Sequence, residues 1–339
     1  MSCRPRYLML LLTTACNLNC LYCYRGDKDR PQSMPREVAL KSFLLAAAAG
    51  RPFHVQLTGG EPTLEPELIE WVADTIRKAG WPATIALQTN GTLLDYSLIR
   101  VCQKYDIQIG VSWDGPPEIQ EKLRGKAVAT LKGLKLLSAA GMPFRVTTVV
   151  TQVNVAYLGR LALFLSAFPS ARGLGLDLLV QKGQALKAPP VTPPTPETLR
   201  TGLFELLDTL RLVKARRSSP LHWREWELLQ QSHNRRKAAP FCPASRGESL
   251  AVHPQGTLYP CTQTVGDRRF ASGTLDAPDP SGLLALKKYT LNGTACSGCP
   301  LVNHCPGDCP SRQYYNQEPA RRLACVMYQT IDEYERRCR

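Results

Sequence analysis

Tyr7-Leu-Met-Leu-Leu-Leu12-Thr13-Thr14-Ala-Cys16-Asn-Leu-Asn-Cys20-Leu-Tyr22-Cys23 is an apolar run that ends in three closely spaced cysteines. The run follows Arg4 and Arg6, as the core of an export signal would. It is too short for one, and it passes directly into Thr13, Thr14 and the cysteines. It reads instead as a buried first strand. The cysteines then occupy the loop after that strand, spaced C-x3-C-x2-C. Three thiolates so close on irregular backbone can hold three irons of a cubane 4Fe-4S cluster. The fourth iron is left open to another ligand. On spacing alone, a zinc site or unrelated cysteines are the alternatives. Zinc asks for four closed ligands, or for three with a histidine or carboxylate among them.

Working outward, short apolar runs alternate with amphipathic stretches. The expected strands are Tyr7–Leu12, Phe53–Leu57, Thr84–Leu87, Ile107–Val111, Phe144–Val150 and Leu174–Val180, apolar on both faces. Expected helices start near Ser33, with Pro35 and Glu37 in the first turn, and run over Pro66–Lys78, Tyr96–Lys104, Lys126–Ala139 and Tyr157–Ala167. Repeated strand–helix units imply α/β architecture with a parallel sheet, here a partial (β/α)6 barrel. Chemistry in such barrels sits on the loops after the strands. Proline-rich residues from Ala188 to Pro196 lead into a last barrel helix, Glu197–Leu212. The expected division is a barrel over 1–215, a bridging segment over 216–240 and a cysteine-rich domain over 241–339. The third part has a weak core unless metal organises it.

The residues resemble a known family. Cys16-Asn-Leu-Asn-Cys20-Leu-Tyr22-Cys23-Tyr24 is similar to the signature of the radical SAM superfamily. The resemblance implies that S-adenosylmethionine (SAM) chelates the open iron and is cleaved by one electron. The deoxyadenosyl radical so formed then takes a hydrogen atom from substrate. It places Tyr22 near the adenine. Thr58-Gly59-Gly60-Glu61-Pro62 follows the second strand, where the family carries a loop for the SAM amino group. Glycines there admit backbone carbonyls to an ammonium, and a carboxylate adds charge pairing. Gln88-Thr89-Asn90-Gly91 and Ser112-Trp113-Asp114-Gly115-Pro116 resemble the loops after strands three and four in the SPASM-containing subgroup. Asn90, Ser112, Asp114 and Arg124 then join the SAM contacts, Ser112 and Arg124 at its carboxylate or ribose. Read without the family, Gly-Gly, Asn-Gly and Asp-Gly are ordinary turn pairs.

A second cysteine set reinforces this. Cys242, Cys261, Cys296, Cys299, Cys305, Cys309 and Cys325 resemble the seven-cysteine SPASM domain, with C-x2-C-x5-C-x3-C between Cys296 and Cys309. A zinc ribbon with spare cysteines is the alternative. The resemblance implies three 4Fe-4S clusters in all. Cys242, Cys261 and Cys309 would hold the proximal auxiliary cluster (I), and Cys296, Cys299, Cys305 and Cys325 the distal one (II). Some relatives have a further cysteine just before the first, but here Arg235, Arg236 and Lys237 stand there, so cluster I is expected to have an open iron. Cys102 reads as core, while Cys3 and Cys338 lie in the termini. An open iron suggests that a substrate thiolate binds it and couples to a carbon radical, giving a thioether.

The chain carries 13 cysteines among 339 residues, an odd and clustered set that favours metal over disulfides. Hydrophobic residues make up 44%, enough for a sizeable core, and no run is long enough to span a membrane. A cytoplasmic protein is expected. The formal charge of +14 suggests either an acidic partner, such as a peptide leader, or a solvated basic surface. The basic groups (Arg211, Lys214, Arg216, Arg217; Arg235–Lys237; Arg321, Arg322) lack interleaved aromatics, which disfavours nucleic acid.

The resemblance implies peptide or protein modification, which relatives with this second domain commonly carry out, while some act in cofactor synthesis. The expected function is therefore peptide or protein modification: a crosslink such as a thioether, or another C–H functionalisation. An electron donor such as flavodoxin or ferredoxin is implied. A cofactor-pathway enzyme of the haem kind is the alternative, and a non-catalytic iron–sulfur protein a third. Sulfatase-maturing relatives carry Asp where Thr262 follows Cys261, which argues against that activity. Asp177, Glu225, Glu248 and Asp308 are possible bases, and the sequence does not select among them. The first strand at Tyr7 leaves no room for a leader-binding domain. Leu221–Trp226 either contacts peptide or packs the domains together, and His222 and His233 read as ordinary surface or interface residues.

Overall fold

The structure is a computed structural model and describes residues 5–26, 30–187, 189, 191–235, 240–290 and 296–338. Cys3, Arg4, Ala188, Arg236 and Lys237, named above, lie outside these residues.

Six strand–helix units come first. They are β1 (Tyr7–Thr13), α1 (Arg36–Ala47), β2 (Phe53–Gly59), α2 (Pro66–Lys78), β3 (Ala83–Thr89), α3 (Tyr96–Lys104), β4 (Ile107–Ser112), α4 (Pro117–Leu123), α5 (Ala127–Ala139), β5 (Phe144–Val150), α6 (Leu158–Ser166), β6 (Ala171–Leu178) and α7 (Pro196–Lys214). There follow β7 (His222–Trp223), α8 (Arg224–Arg235), β8 (Ser249–Val252), β9 (Leu258–Tyr259), α9 (Pro280–Leu283), α10 (Pro310–Tyr315) and α11 (Leu323–Arg337). All the strands form one sheet in the order β7-β6-β5-β4-β3-β2-β1-β8-β9, parallel except for β8 with β9. This is a partial barrel with two edges.

Local chemistry explains the element ends. Pro66 opens α2, and Asp95 caps α3 by accepting from Leu98 N at 2.8 Å. Thr195 caps α7, with Pro196 in its first turn. Gly80, at φ +65°, takes the left-handed position just past α2.

Two expectations about the strands change. The sixth begins at Ala171, three residues before Leu174, and ends at Leu178. Ala171 and Gly173 carry little strand propensity, but pairing with Phe144 and Arg145 of β5 recruits them. The strands are also not uniformly apolar on both faces. β1 is, but β2 and β3 alternate, with Val55, Leu57, Ile85 and Leu87 fully buried under the helices. Gln56, Thr58 and Gln88 take the inward positions and line a cavity.

The boundaries expected at 215/216 and 240/241 do not interrupt the sheet. β7 adds to β6, and β8 adds to β1. Met9 and Leu11 of β1 pack with Ala244, Ala251, Val265, Phe270 and Leu286, so the cysteine-rich part shares its core with the first strand. The bridging stretch packs the chain together: Trp223 is buried, and Trp226 and Gln230 both donate to Glu335 on α11. His222 pairs with Glu227 at 2.6 Å, and the His233 ring rests 5.5 Å from that of His304. Arg217 is no solvated cation. It donates to the carbonyls of Leu165, Ser166, Phe168 and Ala171, tying the end of α6 to the start of β6. Cys102 is fully buried on α3, whereas Cys338 is exposed. No helix among the described residues is long and apolar enough to cross a membrane.

Candidate active site

The loop after β1 is built by backbone contact with the loop after β2. Gly60 N donates to Thr13 O and Glu61 N to Ala15 O, both at 2.8 Å. A Cβ on Gly59 would lie 2.4 Å from Thr13 O, and one on Gly60 1.9 Å from Ala15 O. The glycines therefore serve first to let the two loops touch. Glu61, 1% exposed, ties the arrangement to β3: its carboxylate accepts from Thr63 N (3.1 Å), Thr63 Oγ1 (2.6 Å), Thr89 Oγ1 (2.6 Å) and Asn90 N (2.7 Å). Burial raises its pKa, and these donors pull the other way. Asn90 reaches across to Asn17 Oδ1 at 2.8 Å, so the third loop also grips the cysteine loop.

Cys16, Cys20 and Cys23 form no disulfide, and all three line one cavity. The Cys20 thiol is pushed up to about 11 by burial, with Arg124 opposing and its two neighbouring cysteines adding to the rise. Tyr22 is buried beside them. Its hydroxyl donates to Asp114, and burial holds its pKa well above the ordinary range. Arg124 stacks over the Tyr22 ring at 5.2 Å and donates through Nε to Asp114 at 2.8 Å.

The Asp114 side chain, expected among the SAM contacts, is 0% exposed and does not line the cavity. Its carboxylate is taken up by Tyr22, Arg124 and Val149 N. A buried carboxylate needs such partners, and satisfying it turns it inward. Ser112 and Arg124 do line the cavity. Ser112 Oγ accepts from Gln88 Nε2 at 3.1 Å.

The cavity has a volume of about 410 Å³ and runs from the cysteine loop to Thr262 and Gln263, next to Cys261. That size is within the range of small-molecule sites. Its floor carries Tyr7, Asp177 and Arg224. Arg224 donates to Asp177 Oδ1 at 2.7 Å and to Glu225 Oε1 at 2.6 Å, and it lies over the Phe241 ring. Glu225 is fully buried and also accepts from Leu176 N at 3.1 Å. Burial pushes the Tyr7 hydroxyl up to about 12. The segment after β6 clamps both ends of the cavity. Gln184 N donates to Cys23 O at 2.9 Å, and Lys182 Nζ donates to Gln263 O (2.7 Å) and Val265 O (3.1 Å).

The remaining cysteines gather in two further sets. Burial raises the pKa of Cys242, and Cys309 and Cys261 add to the rise. Cys261 is pushed up to about 12 by burial, then by Cys309. Cys305 is pushed up to about 12 by burial, against a Gly307 N–H bond to its sulfur, with Cys325, Cys299 and Cys296 adding to it. Thiols that feel one another's charge repel once ionised, and polynuclear iron would remove that conflict. On this ground the cysteines present suit iron–sulfur clusters of the kind the resemblance implies. Among the described residues no three His, Cys, Asp or Glu side chains converge as ligands of one metal ion do, and cubane thiolates each sit on a separate iron.

Gln56, Thr147, Gln263 and Lys182 escaped the sequence reading, and Gln88 and Arg224 entered it only as members of longer stretches. For the strand residues a signal was present: polar side chains at alternate positions of otherwise apolar strands, as in Phe53-His-Val-Gln56-Leu.

Residues 10–165 match the radical SAM superfamily. An uncharacterised protein of Methanocaldococcus jannaschii is 36% identical over 185 residues, 52% of this chain and 64% of that protein, so the chain spans just under two thirds of its length. The AdoMet-dependent heme synthase of Methanosarcina barkeri is 26% identical, covering 76% of each chain. The mycofactocin maturase MftC of Mycobacterium tuberculosis is 24% identical over 93% of this chain and 81% of the maturase. In fold, the chain resembles anSMEcpe with bound AdoMet (TM-score 0.77, 20% identity, 98% and 97% covered). It also resembles Streptococcus suis SuiB bound to precursor peptide SuiA (TM-score 0.67, 15% identity, 94% and 74% covered). Residues 10–165, the Cys16–Cys23 loop included, thus form a radical SAM domain, and most of the chain is similar to maturases and synthases that carry one.

Proposed function

We propose that this enzyme cleaves SAM reductively and modifies a ribosomally made peptide or protein at a C–H bond. The observation that carries the reading is the single cavity joining the Cys16–Cys23 loop to the Cys261 loop. In this reading Cys16, Cys20 and Cys23 hold the SAM-binding cluster. Cys242, Cys261 and Cys309 hold auxiliary cluster I, and Cys296, Cys299, Cys305 and Cys325 hold auxiliary cluster II. When bound, the clusters and SAM supply one-electron chemistry and a hydrogen-abstracting radical.

The chain's own residues orient and receive. Gly59, Gly60, Glu61 and Asn90 shape the amino-group side of the SAM site. Ser112 and Arg124 face its carboxylate or ribose, and Tyr22 faces the adenine. Asp114 fixes Tyr22 and Arg124 together. Asp177 is the proton acceptor for the substrate. Of the four acids the sequence offered, it alone lines the cavity: one oxygen is held by Arg224, and no bond to the other is found among the described residues. Glu225 and Asp308 are buried and engaged, and Glu248 pairs with Arg246.

The similarity to MftC along most of the chain and the fold shared with peptide-bound SuiB support a peptide substrate. A flavodoxin- or ferredoxin-like donor and a reducing cytoplasm suit cysteines that form no disulfide. The similarity to a heme synthase supports a cofactor-pathway enzyme as the second reading. The test incubates anaerobic, reconstituted enzyme with SAM, dithionite and peptides encoded beside it. Deoxyadenosine together with a peptide that has lost two hydrogens supports the reading. Deoxyadenosine released only with a porphyrin-type substrate overturns it in favour of the second. The thioether version requires a substrate cysteine, and unchanged product from a Cys→Ser peptide eliminates it.

A further inference from the structure

Arg312 stands on α10, three residues after Cys309, and is 4% exposed. Two of its nitrogens are spoken for: Nη1 donates to Leu178 O at 3.1 Å, and Nη2 pairs with Asp308. The third, Nε, is buried and has no partner among the described residues. A buried donor left unmade costs about 1–3 kcal/mol, and more on a charged group. Its surroundings hold a natural acceptor. Cys309 caps the same short helix one turn earlier, and Asp308 joins the two by accepting from Cys309 N and Arg312 Nη2. Cys309 itself is 7% exposed, with Gln263 Oε1 and Ser311 Oγ each 3.4 Å from its sulfur. Asp308 also accepts from Gln313 Nε2, so carboxylate, guanidinium and cysteine form one rigid assembly.

We propose that Arg312 sets the reduction potential of auxiliary cluster I, its Nε–H being held for a sulfur of the cluster at Cys309. This rests on the reading of Cys242, Cys261 and Cys309 as cluster ligands. A donor and a positive charge beside a cluster favour the state carrying the extra electron, and so raise its potential. Arg312 is thus a positioning residue, acting through the cluster. By holding cluster I at a higher potential, it makes that cluster the better acceptor for an electron leaving the cavity.

The experiment uses the full chain with Cys16, Cys20 and Cys23 changed to alanine, so that only the auxiliary pair reports in an EPR-monitored reductive titration. Arg312→Gln is expected to lower one of the two midpoint potentials and leave the other in place. Arg312→Lys, which keeps the charge but lacks Nε–H, lowers the same potential by less. The double variant Asp308→Asn/Arg312→Gln leaves no unpaired buried charge and still lowers it. It therefore carries the test if Arg312→Gln fails to fold. Unchanged potentials in variants that retain their iron overturn the proposal. A triple-alanine parent with iron for one cluster only overturns the ligand reading, and the proposal with it.

Discussion

Asp114→Asn isolates the buried hub that holds Tyr22 and Arg124. The Asp114 side chain is 0% exposed and that of Arg124 10%, so the pair is shielded from solvent. The carboxylate receives Tyr22 Oη–H, Arg124 Nε–H at 2.8 Å, Arg124 Nη2–H at 3.3 Å and Val149 N–H at 3.0 Å. Asparagine keeps one acceptor and points an amide at the remaining donors. Leaving a buried guanidinium without its countercharge costs about 3–5 kcal/mol. Tyr22→Phe removes one hydroxyl and leaves the ion pair, at a cost of about 1 kcal/mol. With a urea dependence of roughly 3 kcal/mol per molar, the midpoint falls by roughly 1 M or more for the asparagine variant and by roughly 0.3 M for the phenylalanine variant. The assay is urea unfolding of the cluster-loaded protein, followed by tryptophan fluorescence. A fall for Asp114→Asn no larger than that for Tyr22→Phe refutes the buried-hub reasoning.

Gly60→Ala drives a Cβ to 1.9 Å from Ala15 O and separates the two loops, so iron per chain should fall by about four, one cubane's worth. Unchanged iron counts against the close-approach role. In iron-free protein at pH 8, Cys261 and Cys305, each with its pKa pushed up to about 12, should alkylate with iodoacetamide more slowly than exposed Cys338, as read by mass spectrometry. Because these folded pKa values lie above the ordinary thiol value of 9.0, the stability they contribute is intact below pH 9.0 and is lost as pH rises toward about 12. Iron-free protein should accordingly unfold more readily across that window, and a flat urea midpoint there contradicts the burial of these thiols. Lys182→Met keeps the apolar stem but frees Gln263 O and Val265 O, so a chelator should strip iron from the Cys261 side faster than from the parent protein.

Much of the architecture was legible because its signals are local. Pro66 and Gly80 bracket α2, and the cysteine spacing stands out whatever surrounds it. What escaped notice depends on contacts distant in sequence. Ala171 joins β6 only because Phe144 lies opposite it. Arg224, within the Leu221–Trp226 stretch, gives no sign of its place until Asp177 and Glu225 close on it from β6 and from its own helix. Asp114 looked like a ligand contact because its loop does, and only burial turned its carboxylate inward. The Gly-Gly pair was read for an ammonium, yet its first task is the contact with Thr13 and Ala15. The sharing of one sheet by barrel and cysteine-rich part was invisible too, since Ser249–Val252 carries no mark of pairing with Tyr7–Leu10.

The central claim is that the ten cysteines outside Cys3, Cys102 and Cys338 hold three cubanes. It is tested most directly by iron, sulfide and zinc per chain in anaerobically prepared protein. About twelve irons with matching sulfide and no zinc is the predicted result. About four irons with zinc present would contradict it, making the C-terminal cysteines a structural zinc site.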